Sequence, residues 1–349
     1  MTAIALGGRR IGPGHPCFII AEAGVNHNGD VGLAERLVDA AIETGADAVK
    51  FQTFTAERLV TPKAPNADYQ AAVTDAAESQ VAMLRKLELS REAHVRLFEY
   101  ARRRGITFLS TPFDEQSADL LDDLGVPLFK IASGEITNLL LLEHVARKRK
   151  PMVVSTGMST LDEVGEAVRV IHKAGCPALA LLHCTSNYPA DPADSNLNAM
   201  ITMRQAFDLP VGYSDHTPGL EVAVAAVALG ASVLEKHLTL SREMPGPDHR
   251  ASLEPGDFAA MVRAVRSVET ALGDGIKRPM ESERNTRAIA RRSLVAATDL
   301  PAGTVLQAHH LAAKRPGLGL PPGELARLVG RRLTKSLQAD DMINWSDVA

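Results

Sequence analysis

Two histidines hold equivalent places in the chain. His216 comes just after the apolar run 211–213, and His237 comes just after a second run that ends at Leu234. Between them, residues 220–230 are rich in Ala and Val and close on Gly230, which reads as a helix between two strands. Such a strand–helix–strand unit lays its strands parallel and adjacent, so both imidazoles arrive at one edge of a sheet. Two neutral imidazoles there can hold a divalent metal and leave positions open for substrate, as a Lewis-acid site requires. A lone histidine more often hydrogen-bonds a loop carbonyl; the matched spacing of the pair favours the metal.

Other apolar runs end in polar residues as well. Lys50 and Lys130 are placed to clamp a phosphate or carboxylate, with Thr111, Ser133 and Ser155 as neutral donors. Each lysine taken singly fits a structural ion pair equally well. Glu22 and Glu135 are candidates for proton transfer, or for neutralising a lysine. Gln52, Ser110, Thr156, His183, Thr185, Asn187, Tyr188, Ser214, Asp215, Glu235 and Lys236 complete the polar set. Cys17, Cys176 and Cys184 form no CxxC, so a reducing cytoplasm is expected, with Cys184 a small buried hydrophobe rather than a nucleophile.

The elements that must carry these residues follow one rule. A helix-like segment ends in glycine (Gly45, Gly105, Gly125, Gly175, Gly230), an apolar run follows, and polar residues come next. Glycine supplies the left-handed cap that returns a helix to a strand. Residues 18–21, 151–155 and 210–213 fit the strand template without the glycine. Eight strand–helix units result, the count of a TIM (β/α)8 barrel, whose chemistry sits at the C-terminal strand ends. An open doubly wound sheet is the alternative, but its Gly-rich phosphate turn is absent. Thr160-Leu-Asp-Glu163 reads as a capping box. Residues 55–90 are an insertion at the same face, with a helical pattern over 78–87, and read as a lid, a subunit contact or idle surface. The expected domains are 1–275 (barrel), 276–292 (a charged, loop-like linker) and 293–349 (a small mixed module with short strands at 293–296 and 304–306).

With 349 residues, 45% of them hydrophobic, the chain can bury one large core and a small second one. A net charge of -4 supplies no basic stripe for nucleic acid or an acidic membrane. The longest apolar stretch, 222–234, is too short to span a bilayer, and the N-terminus has no signal-peptide core.

Eight motifs in order then carry a resemblance: Ala21-Glu22-Ala-Gly-Val-Asn-His-Asn-Gly29, Val49-Lys50-Phe-Gln52, Lys130-Ile-Ala-Ser133-Gly-Glu135, Ser155-Thr-Gly-Met-Ser159, His183-Cys-Thr-Ser-Asn-Tyr188-Pro189, Gly212-Tyr-Ser214-Asp-His216-Thr217, Glu235-Lys-His237 and Pro245-Gly-Pro-Asp248-His249. Together they resemble the sialic acid synthase family over nearly the whole chain. The tail, with Lys314-Arg315-Pro-Gly317, resembles the antifreeze-like (SAF) domain of that family. The resemblance implies condensation of phosphoenolpyruvate with open-chain N-acetylmannosamine to give N-acetylneuraminate and phosphate. It further implies a divalent metal on His216 and His237, Mn²⁺ foremost with Mg²⁺ or Co²⁺ as alternatives. Lys50, Thr111, Lys130, Ser133 and Ser155 would hold phosphoenolpyruvate, Glu22, Tyr188 and Asp248 the sugar, and Glu135 would serve the water and phosphate steps. Arg315 would reach the sugar's N-acetyl group across a domain-swapped homodimer. Ser186 stands where sialate-making members commonly carry asparagine, with Asn187 one place later, so a legionaminic or pseudaminic acid synthase using a diacetamido-trideoxyhexose is the alternative. A Schiff-base aldolase built on Lys130 or Lys50, and a non-enzymatic carbohydrate-binding protein, are the competing classes.

Overall fold

The computed structural model describes residues 3–6, 8–65 and 79–349. An antiparallel hairpin of β1 (Ile4–Leu6) and β2 (Arg9–Ile11) precedes eight parallel strands. These are β3 (Phe18–Gly24), β4 (Ala48–Thr53), β5 (Thr107–Pro112), β6 (Phe129–Ile131), β7 (Met152–Ser155), β8 (Leu179–Cys184), β9 (Val211–Asp215) and β10 (Val233–His237). The order β5-β4-β3-β10-β9-β8-β7-β6 joins the first and last strands, and the two edges, β5 and β6, lie against each other. The result is a nearly closed eight-stranded barrel of the TIM type, with strands where the glycine-and-apolar-run pattern places them.

The helices between the strands are α1 (Val31–Glu43), α2 (Ala56–Leu59), α3 (Gln80–Arg85), α4 (Arg91–Arg104), α5 (Glu115–Leu124), α6 (Leu139–Ala146), α7 (Leu161–Lys173), α8 (Ala199–Phe207), α9 (Glu221–Ala228) and α10 (Pro255–Leu272). Their ends are set locally. Ser90 accepts from the Ala93 N–H to start α4, and Gly105, at φ 80°, closes it in the left-handed conformation that glycine adopts without strain. The Thr160–Glu163 capping box is present in both halves. Within the 55–90 insertion α2 and α3 form, Ser79 capping α3. Residue 78, where the helical pattern was expected to begin, lies outside the described residues.

Alternation along the strands divides two cores. Ile19, Ala21, Val49, Phe51, Leu181, Tyr213 and Leu234 face the helices. Their neighbours Phe18, Ile20, Ala48, Leu109, Leu128, Val153, Leu182 and Val233 fill the barrel interior, together with Ile4, Leu6 and Ile11 of the hairpin. Every second residue along these inward series is apolar low in the barrel and polar at its C-terminal end: Ile20 then Glu22, Ala48 then Lys50, Leu109 then Thr111, Leu128 then Lys130, Val153 then Ser155, Val233 then Glu235 and His237. Gly212 is required where β9 approaches β10, because a Cβ there would lie 2.2 Å from the Val233 carbonyl oxygen.

Residues 274–349 form a second compact unit, apart from residues 1–273. It contains α11 (Arg284–Ala290), β11 (Ser293–Ala296), β12 (Leu311–Lys314) and α12 (Leu325–Leu328) around Leu294, Leu300, Leu306, Leu328, Leu333 and Ile343. Two expectations differ here. The loop-like reading of 276–292 overlooks α11, whose sequence Arg-Asn-Thr-Arg-Ala-Ile-Ala holds no glycine or proline. The strand expected over 304–306 is only an isolated bridge, Val305 to Arg332, and β11 pairs with β12 instead. Among the described residues no helix is long and apolar enough to cross a membrane.

Candidate active site

A cavity of about 430 Å³ opens at the C-terminal ends of the barrel strands. The polar ends of the inward series converge on it, since side chains two apart on a strand share a face. Glu22, Lys50, Thr111, Lys130, Ser133, Ser155, Tyr188, Ser214, His216, His237 and Asp248 all line it.

Its floor is a cluster of buried charge. Lys50 Nζ lies 2.7 Å from Glu22 Oε2 and 3.7 Å from Glu235 Oε2, and donates to Thr111 Oγ1 at 3.0 Å. Lys130 Nζ donates to Ser155 Oγ at 2.6 Å and to the Ile131 carbonyl at 3.0 Å, and lies 3.5 Å from Glu235 Oε1. Glu235 therefore stands between the two lysines, and it also accepts from Ser214 Oγ at 3.1 Å. Burial works against the Glu235 charge, yet Lys130 and Lys50 hold its carboxyl below the usual range. For Glu22 burial wins over Lys50 and pushes the carboxyl up to about 7. Burial also lowers Lys130, with Glu235 opposing it.

The two imidazoles form one wall, with ring centroids 5.5 Å apart, and the Tyr188 ring packs 4.1 Å from His216 and 5.6 Å from His237. His216 Nδ1 lies 2.7 Å from the Thr185 carbonyl oxygen, which assigns its proton to Nδ1 and leaves Nε2 as an acceptor. His237 Nδ1 is buried without a hydrogen-bond partner and lies 3.8 Å from Asp248 Oδ2. Burial lowers both imidazole pKa values, so both rings are neutral at pH 7, as metal ligands must be. Asp248 is pushed up to about 6 by burial. Among the described residues no set of three or more His, Cys, Asp or Glu is gathered to hold a metal.

Two expected site residues are not part of this cavity lining, and a third belongs to the other unit. Glu135 sits in the 3-10 turn Ser133–Glu135, its carboxylate accepting from Asn138 Nδ2 at 2.7 Å. Asn187 is exposed and turns back to accept from the Tyr188 N–H, while Ser186 lines the cavity. Arg315 belongs to the second unit and is exposed there. Glu235, read only as one polar strand end among many, proves central. The available signal was its place two residues before His237, on the same face of β10. The apolar side of the cavity, with Val25, Leu59, Val60, Met83, Leu84, Leu87 and Phe113, had no signal in motif spacing.

A parallel barrel with a charged mouth and paired imidazoles defines a class of small-molecule enzyme architecture. The chain belongs to the NeuB family, whose model matches residues 37–277, and a SAF domain matches residues 291–349. It is 48% identical to the N,N'-diacetyllegionaminic acid synthase of Legionella pneumophila, over 95% of this chain and 94% of that protein. The N,N'-diacetyllegionaminic acid synthase of Campylobacter jejuni is 47% identical over 93% of this chain and 98% of its own length. Among solved structures, the sialic acid synthetase of Leptospira borgpetersenii, determined with citrate, superposes with a TM-score of 0.74 at 35% identity, covering 82% of this chain and 95% of that one.

Proposed function

We propose that the protein condenses phosphoenolpyruvate with an open-chain 2,4-diacetamido-2,4,6-trideoxyhexose, giving a nine-carbon 2-keto acid of the legionaminic type and phosphate. The observation that carries the reaction class is one cavity holding two buried lysines, three buried carboxylates and two neutral imidazoles. The sugar is chosen on the relatives: legionaminic acid synthases match at 48% and 47% identity, the sialic acid synthetase at 35%. N-Acetylmannosamine, the acceptor expected first, accordingly gives way to the diacetamido sugar.

Lys50 and Lys130 hold the phosphate and carboxylate of phosphoenolpyruvate, with Thr111, Ser133 and Ser155 as neutral donors around them. C3 of phosphoenolpyruvate attacks the aldehyde carbon, the new oxyanion takes a proton, water adds at C2, and phosphate leaves with cleavage of its C–O bond. Glu22, with a pKa near 7 beside Lys50, is suited to exchange protons with the reacting oxygens. Tyr188 and Asp248 flank the imidazoles and serve the sugar. Glu135, in the turn whose Ser133 and Gly134 line the cavity and with its carboxyl pushed up by burial, serves the water and phosphate steps. The neutral imidazoles and the unpartnered Nδ1 of His237 suit a divalent metal, Mn²⁺ with Mg²⁺ or Co²⁺ as alternatives, which when bound would supply Lewis-acid polarisation of the aldehyde.

Mass spectrometry of products from phosphoenolpyruvate plus a panel of acetamido sugars, with and without Mn²⁺, tests this reading. The expected result is one nine-carbon keto acid and one phosphate per turnover; no condensation with any acceptor overturns it.

The second unit enters the same proposal through Arg315, which by this reading meets the N-acetyl group of the partner's sugar in a swapped homodimer. Mixing Arg315→Ala with His216→Ala chains should restore partial activity if the arginine acts in trans. No recovery, with subunit exchange verified, removes Arg315 from the partner's site.

A further inference from the structure

We infer that the apolar wall of the cavity, formed by Val25, Leu59, Val60, Met83, Leu84 and Phe113, receives the methyl-bearing far end of the acceptor sugar. It thereby selects a 6-deoxy, 4-acetamido hexose over one with hydroxyls at C4 and C6. The inference rests on the proposed condensation and assigns its acceptor specificity to Leu59, Val60, Met83 and Leu84 of the 55–90 insertion together with Val25 and Phe113.

The wall and the floor of this cavity are made of different chemistry. All six wall side chains border the same space as the lysines and imidazoles, and none carries a strong hydrogen-bonding group. Met83 and Leu84 come from α3 and pack with Val25, Phe54 and Ala56 into a small core separate from the barrel's. Leu59 and Val60, at the end of α2, and Phe113, just past β5, lean on that core and are only partly buried. The wall therefore stands on its own support, and its outer surface remains to face a ligand.

Its position fixes which part of a ligand it meets. β3 pairs with β10 so that Glu22 lies opposite His237, and Val25 continues the chain just past that point. Phe113 follows the strand whose Thr111 accepts from Lys50. The wall thus rises over Glu22, Lys50 and Thr111, beside the imidazole edge. Phosphoenolpyruvate has one apolar group, its methylene, which has to face the aldehyde carbon it attacks, so it does not cover this wall. The sugar's aldehyde end is fixed by the same requirement, and only its distal carbons are free to reach the apolar side. A C6 methyl and a C4 acetamido methyl lose nothing against such a surface. Hydroxyls laid against these six side chains give up hydrogen bonds to water and gain none from them.

A hydrophobic pocket discriminates only moderately against an added hydroxyl, so the expected preference is roughly tenfold to two-hundredfold in kcat/KM. The experiment measures kcat/KM for 2,4-diacetamido-2,4,6-trideoxymannose and for N-acetylmannosamine at saturating phosphoenolpyruvate. It uses the full-length wild type, Val60→Thr, Met83→Gln and the conservative Met83→Leu, with thermal melting of each chain. The wild type should prefer the trideoxy sugar, Val60→Thr and Met83→Gln should reduce the ratio by about tenfold or more, and Met83→Leu should restore it. Val60→Thr is nearly isosteric and only partly buried, so it keeps the test available if Met83→Gln fails to fold. A wild type that condenses neither sugar overturns the condensation reading itself. Condensation without preference, or a preference that Val60→Thr and Met83→Gln leave intact in folded protein, overturns the wall assignment while leaving the reaction standing.

Discussion

Two sets of buried charges meet on opposite faces of β10 and are built in opposite ways. On the outer face, Lys236 Nζ donates to Asp215 Oδ2 at 2.6 Å and to the Thr217 carbonyl at 2.5 Å, and both side chains of the pair are fully buried. Asp215 Oδ1 is satisfied in turn by the N–H and hydroxyl of Thr217. One residue away on β10, on the inner face, Glu235 stands 3.5 and 3.7 Å from the two lysines, and Glu235 Oε2 and His237 Nδ1 have no hydrogen-bond partner. The outer pair is closed and has nothing left to offer a ligand. The inner cluster is electrostatically balanced but geometrically incomplete, which is the condition of a site waiting for an anion and an aldehyde. Burial alone therefore separates neither set from the other; hydrogen-bond completeness does.

Breaking the closed pair should give the largest effect. Lys236→Met leaves the Asp215 carboxylate buried without its partner, and should remove about 3 to 5 kcal/mol of unfolding free energy in urea titrations. Lys50→Met should move stability far less, because Glu22 can take up a proton near pH 7. Equal losses would erase the distinction drawn between the two sets.

On the inner face the order reverses, and activity falls while the fold holds. His216→Ala should lower kcat/KM at least about a hundredfold, beyond the 10- to 100-fold typical of residues that only orient a ligand, and should lose bound metal by elemental analysis. Wild-type turnover of this variant in chelated buffer would exclude the imidazole from the reaction. Lys50→Ala or Lys130→Ala should raise the phosphoenolpyruvate KM about tenfold, as expected for a lost charge-assisted contact. An unchanged KM together with an imine trapped by borohydride would replace this reading by Schiff-base chemistry.

A more gradual effect extends the comparison to buried histidines outside the cavity lining. Burial drives the pKa of His27 and of His249 from 6.5 down to about 4. The unfolded chain binds protons that the folded one refuses, so stability is full above pH 6.5 and is lost as the pH falls toward 4. The slope reaches at most about 1.4 kcal/mol per pH unit for each histidine. Urea titrations between pH 7 and pH 4.5 should show it, and His27→Asn should flatten it.

The sequence was most legible where structure is local. Glycine caps and apolar runs located all eight barrel strands, and the Thr160–Glu163 box marked the start of α7. The same logic failed in the second unit, where charge and Pro279 masked α11 and a single bridge at Val305 had looked like a strand. It also gave no warning that Ile4, Leu6 and Ile11 would enter the barrel interior, because three-residue strands carry too little periodicity to show a face.

By itself the sequence determined which residues share a strand end and which of them point inward, because alternation has a period of two and is a property of each strand alone. Closure of the sheet decided the rest. It brought Glu235 of β10 between Lys50 of β4 and Lys130 of β6, and it set Met83 and Leu84 of a separate small core over the same cavity. Those distances depend on how eight strands are ordered and staggered around one axis and on how a crossing chain packs back on itself, and no local pattern encodes either.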